Sequence, residues 1–409
     1  MLAKRSRWLS PGVLGIGAAS FLSDVGHEVP TSLLPGFLSG LGAPAAALGL
    51  IEGTANGVAG LARLAGGALA DDPARRRRVA LGGYASTAIL SALIGVAPNA
   101  WQVGLLRTGA WAARGVRGPA RNALLAEVVP AEVYGRAYGF ERTMDNLGAI
   151  AGPLLALALV AAVGVRQAML ISVFPGLLAA LAILYAIRRS PPVILPARVP
   201  VRLVVRPLLQ GGLGRLIAAI AAFEMGNVAA TLLILRSTQV FAVTHSAAGA
   251  TQLGLTLYMG YNAAAAVISI PAGRLSDRFG SAPVLVGGAT LSLIAYSAFA
   301  LGGEAAIVSG FLAAGLGVGC VETAQHAAVA SLAPDRLRGS AFGLLAAAQS
   351  IANFAASSIA GLLWTLVSPM MAFGYLAVWA MVALVGFVLV GRGAGSLDLA
   401  AKTKAGGGD

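Results

Sequence analysis

Gly67-Ala-Leu-Ala-Asp71 and Gly273-Arg-Leu-Ser-Asp277 are two copies of one pattern, Gly-x-Leu-x-Asp, set 206 residues apart in a chain of 409. A second pair follows at nearly the same offset. Gly135-Arg-Ala-Tyr-Gly139 matches Gly339-Ser-Ala-Phe-Gly343, and Pro130 matches Pro334, each 204 residues apart. A repeat at half the chain length, in matching positions, predicts two bundles related by pseudosymmetry.

What lies between the copies sets the class. Hydrophobic residues make up 57% of the chain and charged ones 11%, against about a quarter charged in a soluble domain. The mean hydropathy of +0.81 is too high for a surface that meets only water. Twelve apolar segments can be read, at 10–38, 45–70, 79–97, 100–120, 137–163, 166–188, 213–241, 248–272, 281–301, 304–330, 340–366 and 369–391. A membrane-crossing helix needs about 20 mostly apolar residues, so the segments predict an all-α polytopic membrane protein with 12 transmembrane helices. The apolar runs are long and lack a two-residue period, which argues against a barrel. The 54 glycines suit close packing between lipid-embedded helices. The single Cys320 excludes a disulfide framework. No small-residue cleavage site follows the basic start Met1 to Arg7, so no cleaved signal peptide is expected.

The expected organisation is a six-helix bundle over 1–189, a linker over 190–212, a second six-helix bundle over 213–391 and a tail over 392–409. The linker carries Pro191, Pro192, Pro196, Pro200 and Pro207. With the N-terminus inside, the inner loops hold Arg75 to Arg78, Arg136, Arg188, Arg189, Arg198, Arg202, Arg206, Arg274, Arg278, Arg336 and Arg338. Lys4, Arg5, Arg7, Arg392, Lys402 and Lys404 share that side, and the outer loops hold little beyond Arg166. This asymmetry predicts both termini in the cytoplasm, in a multi-pass protein of a bacterial inner membrane. The net charge of +13 is thereby read as topology and contact with anionic lipid, not as nucleic-acid binding.

In each Gly-x-Leu-x-Asp copy the glycine permits close helix approach, and the aspartate can cap the free N–H groups of a neighbouring helix. By symmetry Asp71 would face the helix starting near Gly339, and Asp277 the one starting near Gly135. Gly67, Asp71, Gly273 and Asp277 are then a conformational latch; the plainer alternative is a polar turn. These residues resemble motif A of the major facilitator superfamily, and the resemblance covers about residues 10 to 391. The first copy departs from it: Asp71-Asp72-Pro73 stands for the usual Asp-Arg-x-Gly, with Arg75 to Arg78 restoring the charge. The resemblance implies the fold of that superfamily, a monomer, and a small-molecule substrate held near mid-membrane between the repeats.

Gly148-Ala-Ile-Ala-Gly152-Pro153 gives a close-packing groove and a bend. It resembles motif C of the superfamily's proton-coupled antiporters, with Ala156 where a glycine is usual, and the second-half counterpart near Gly361 lacks the proline. That resemblance implies export; ordinary small-residue packing is the alternative. Arg107 resembles the motif B arginine, to which the superfamily gives proton coupling or substrate contact. Arg114, Arg117 and Arg121 lie nearer the inner face, where snorkelling or salt bridging is expected.

Ionisable residues inside a membrane are functional candidates by default. Asp24, His27, Glu28 and Thr31 fall on or near one face of the first helix. Asp24, about 21 Å from the inner end, is the first candidate proton carrier, with Glu28 or Glu224 second and Arg107 tuning the acid. Glu224 and Asn227 lie on the seventh segment, and Glu322, Gln325 and His326 on the tenth. Superfamily resemblance lines the cavity with helices one, four, seven and ten, so Asp24, Arg107 and Glu224 would be central, with Glu322 nearer the cytoplasm. Glu141, Arg142 and Asp145 read as a structural salt-bridge cluster with the fourth-helix arginines. Asp24, His27 and Glu28 could also ligate a divalent metal.

The expectation is a secondary transporter, not an enzyme, that exports a small organic solute or drug by proton antiport and alternating access, without a cofactor. No nucleotide-binding Gly-x-x-x-x-Gly-Lys-Ser/Thr loop is present. Metal export and nutrient symport on the same fold are the alternatives.

Overall fold

The computed structural model describes residues 8–190 and 201–405. The basic residues Lys4, Arg5 and Arg7, and the linker positions Pro191 to Pro200, lie outside them. Among the described residues every regular element is helical. They are α1 (Pro11–Gly40), α2 (Ala45–Ala70), α3 (Pro73–Leu93), α4 (Ala100–Val128), α5 (Tyr134–Val163), α6 (Val165–Ile171), α7 (Val173–Arg189), α8 (Gly211–Met225), α9 (Ala230–Phe241), α10 (Ala247–Phe279), α11 (Ser281–Leu301), α12 (Glu304–Leu332), α13 (Arg338–Leu366) and α14 (Pro369–Ala405). The sixth and seventh apolar segments each appear as two helices. Ser172 separates α6 from α7, and residues 226–229 separate α8 from α9, so the helices trace the twelve segments of the sequence.

Nine spans among the described residues are long and apolar enough to cross a membrane. The helices outside that set, α1, α2 and α4, carry Asp24, His27 and Glu28, Glu52, and Arg107, Arg114, Arg117 and Arg121. Such polar load is tolerated where a helix faces protein instead of lipid.

Helix ends differ from the apolar runs where charge interrupts them. The third helix begins at Pro73, so Arg75 to Arg78 are helical and not loop. Asp72 is the reason: its side chain accepts from the backbone N–H of Ala74 (2.9 Å) and Arg75 (3.3 Å), with Pro73 at the first helical position. The departure from the usual motif is thus a helix start signal. The fourth helix runs on to Val128, because Arg121 and Glu127 find protein partners. The last helix continues to Ala405, through most of the expected tail. Gly164 (φ 82°) and Gly280 (φ 83°) each link two helices as a single residue in the left-handed region.

The chain divides into two compact units. The first takes in the chain to Val204 together with Ala333–Ala347; the second takes in Val205–Leu332 and the chain from Ala348. Within the first, α2 packs on α4, α3 on α4 and α7, and α1 on α5 and α7. Within the second, α10 packs on α12, α11 on α12 and α14, and α8 on α14. The pairings of second, third, fourth and sixth segments recur in both, as the repeat requires. Small residues make the close crossings. A Cβ on Gly115 would lie 2.6 Å from the Ala59 carbonyl oxygen, and one on Gly319 would lie 2.7 Å from that of Ala265.

Candidate functional site

In the first unit, Asp24, His27 and Glu28 come together with the arginines of α4. The fifth helix holds them there. A Cβ on Gly148 would stand 2.7 Å from the Phe21 carbonyl oxygen and 2.8 Å from Asp24 Cβ, and one on Gly152 would overlap Glu28 Cβ. The Gly-x-x-x-Gly groove therefore seats the acidic face of α1 directly.

Asp24 and His27 are each 4% exposed. His27 Nδ1 lies 3.0 Å from the Ser23 carbonyl oxygen and 3.3 Å from Asp24 Oδ1. Its Nε2 lies 3.2 Å from Glu28 Oε1 and also meets Arg114 Nη1. With Nδ1–H donated to Ser23, Nε2 is left as the acceptor for Arg114. A proton on Nε2 would turn that nitrogen into a donor toward Glu28 and repel Arg114. The Asp24 and Glu28 carboxylates approach opposite nitrogens of one ring, so the three side chains do not converge on a common point. No group of three or more His, Cys, Asp or Glu among the described residues could hold a metal ion.

The arginine beside Asp24 is Arg114, with Nη2 3.4 Å from Oδ1. Arg107 does not fill that place. It is fully buried, donates to Thr31 Oγ1 (2.9 Å), pairs with Glu52 Oε1 (2.9 Å) and stacks 3.4 Å above the Trp111 ring. Trp111 Nε1–H donates to Asn56 Oδ1 (3.1 Å). Glu52, Asn56 and Trp111 thus belong to the constellation, although sequence reasoning gave them no role. The seven-residue spacing of Arg107, Arg114 and Arg121 was the available signal for one shared helix face. Glu141 is buried between Arg121 (2.7 Å) and Arg142 (2.8 Å) and accepts from Ser20 Oγ (2.7 Å), while Asp145 takes Arg142 at 3.2 Å.

In the second unit, Glu224 ends α8 just before the break at 226–229. Gln349 Nε2 donates to its Oε1 (2.9 Å) and Asn227 Nδ2 to its Oε2 (3.0 Å). Asn353 Nδ2 donates to the Asn227 carbonyl oxygen (2.8 Å), and the Ala229 N–H to Ser357 Oγ (3.0 Å). Polar side chains therefore take up groups that the interruption releases from the helix ladder. Glu322 lies on α12 one turn before His326, whose Nδ1 is 2.6 Å from the Glu322 carbonyl oxygen.

Asp71 closes α2, and its Oδ1 accepts from the Ser340 N–H (2.9 Å) while Ser340 Oγ donates to Oδ2. Gly67, Gly339 and Gly343 permit the approach: a Cβ on Gly67 would lie 2.7 Å from the Gly339 carbonyl oxygen and 2.9 Å from Gly343 Cα. Burial pushes the Asp71 carboxyl above its usual range, against the pull of Ser340, Arg76 and Gly339. Arg76 reaches the Ala70 carbonyl oxygen (2.7 Å) and, with Arg77, holds Glu127 at the end of α4. In the second unit Gly273 is buried and Asp277 half-buried in the last turns of α10.

Long apolar helices, a half-chain repeat and buried ionisable clusters define a multi-pass membrane transporter. A family model described as Major Facilitator Superfamily matches residues 16–235 and 214–405, and the chain belongs to that superfamily, whose members are transporters and not enzymes. It is 27% identical to an uncharacterized MFS-type transporter of Methanocaldococcus jannaschii, over 93% of this chain and 95% of that one. It is 28% identical to an uncharacterized protein of Mycobacterium bovis, over 93% of each. Among solved structures, it is similar in fold to a bacterial homologue of the iron transporter ferroportin (TM-score 0.75, 16% identity, 93% of this chain and 99% of that one). It is also similar to a human organic anion transporter (TM-score 0.71, 16% identity, 93% and 99% covered).

Proposed function

We propose that this protein is a proton-coupled exporter of a small organic solute, working by antiport and alternating access. The observation that carries the reading is His27 on α1. Its Nε2 faces two partners with opposite demands, Glu28 needing a proton on that nitrogen and Arg114 needing a lone pair. Imidazole is suited to change state near neutral pH. A proton received by the Asp24–His27–Glu28 group would release Arg114, and its departure would restore the present pairing. Asp24 is the expected carrier, with Glu28 and Glu224 as the other acids. Arg107, held by Glu52 and Thr31, positions Trp111 beside this group. Glu224 and Glu322 are the second unit's contribution to substrate or proton binding.

The seating of Gly148 and Gly152 against Asp24 and Glu28 favours antiport over symport, since it joins the antiporter-like groove directly to the acids. Asp71 with Ser340, and Asp277 by the repeat, serve as latches that open once per cycle. The working molecule is a monomer of two six-helix bundles, 1–189 and 213–391, in a bacterial inner membrane with both ends in the cytoplasm. Everted vesicles test the reading. Adding the solute should dissipate an imposed proton gradient as the solute accumulates inside. Accumulation that needs no gradient, or solute and protons moving in the same direction, would overturn it.

A further inference from the structure

Three of the four arginines on α4 have a carboxylate partner: Arg107 has Glu52, Arg114 has Asp24 and Arg121 has Glu141. Arg117 has none among the described residues. It is 4% exposed, and its Nη1 is buried with no hydrogen-bond partner. Its direct contact is the ring of Tyr84 on α3, whose centroid lies 3.9 Å from the guanidinium carbon. The Tyr84 hydroxyl is also buried and unpartnered. The arrangement is closely built. Gly83 lets α3 approach so near that a Cβ there would overlap Arg117 Cβ and stand 3.1 Å from the Ala113 carbonyl oxygen. The charged groups around Arg117 do not supply its missing partner: Arg114 and Arg121 repel it, and Asp24 is held by Arg114.

A guanidinium cannot shed its proton in a protein. Left unpaired about 17 Å from the inner end of α4, inside the hydrocarbon depth, it is strongly disfavoured. The Tyr84 ring attracts the cation through its face but gives the in-plane Nη1–H no acceptor. What is missing is an acceptor with negative charge, and the second orphan, a phenolic O–H, is also a donor. We propose that Arg117 and Tyr84 form a binding site for a small monovalent anion, taken either as a free halide or as the carboxylate group of a transported solute. The inference does not depend on the direction of transport or on which acid carries the proton.

The full-length protein in detergent, kept in sodium sulfate at fixed ionic strength, would be titrated with chloride, bromide or acetate while thermal unfolding is followed by tryptophan fluorescence. A saturable rise of the midpoint is expected. A response to the halides identifies the free ion as occupant, and a response confined to acetate identifies a solute carboxylate. Arg117→Gln should weaken the apparent affinity by more than about tenfold, Arg117→Lys less, and Tyr84→Phe by about fivefold. No rise in the wild type beyond that in sulfate overturns the site, and so does a wild-type response in Arg117→Gln. Should Arg117→Gln not fold, Tyr84→Phe decides, since it removes one oxygen and keeps the ring; unchanged affinity there overturns the proposal.

Discussion

Asp24→Asn separates a role in coupling from a role in folding, because the amide fills the carboxylate's place beside Gly148 while losing its charge. At 3.4 Å from Arg114, the attraction removed is about 5 kcal/mol before desolvation, taking an effective dielectric of about 20. Little of that reaches stability. Orphaning a fully buried charge costs about 3–5 kcal/mol, but 31% of the Arg114 side chain is exposed. The guanidinium also keeps His27 Nε2 as an acceptor, so the net loss should be about 1–3 kcal/mol. The variant should fold, with a modestly lower unfolding midpoint, and should still bind solute. It should release no proton on doing so. A ligand-stabilisation screen across drugs, sugars, amino acids and divalent metals supplies the solute. A pH-indicator dye in weakly buffered detergent then reads the protons. Undiminished proton release from Asp24→Asn would remove this carboxylate from the mechanism, and collapse of the fold would show that its work is structural.

Three further outcomes are expected. Asp71→Ala, Ser340→Ala and Asp277→Ala should each lower the maximal transport rate more than the apparent affinity; an unchanged rate in all three would count against the latch. Gly148→Ala and Gly152→Ala should each destabilise by about 1–3 kcal/mol, because the added methyl meets Phe21, Asp24 or Glu28 at below contact distance; a wild-type unfolding midpoint would refute the close seating of α1 on α5. Glu141→Gln should cost about 3–5 kcal/mol by leaving Arg121 and Arg142 short of a shared anion, with loss of folded protein and no change in proton stoichiometry in what remains. A selective change in stoichiometry there would move Glu141 from the scaffold into the transport path.

The amino-acid sequence by itself determined the class of the protein. Apolar runs of membrane-crossing length and a half-chain repeat are local properties, set by hydropathy and spacing before any helix meets another. The face of α1 that carries Asp24, His27 and Glu28 follows in the same way from helical period. Tertiary structure alone decided who faces whom. Arg107 and Arg114 are seven residues apart on one face of α4, so helical period cannot tell which of them stands level with Asp24. The axial register of α4 against α1 sets that, and such a register is a property of packed helices, not of either helix alone. The same holds for the interruption after Glu224: Gly226 and Asn227 mark a weak point in the run, but side chains from α13, more than 120 residues away, are what take up the freed backbone and carboxylate groups. That Arg117 has no carboxylate partner among the described residues is likewise a fact of three dimensions, since an absent partner leaves no mark on a sequence.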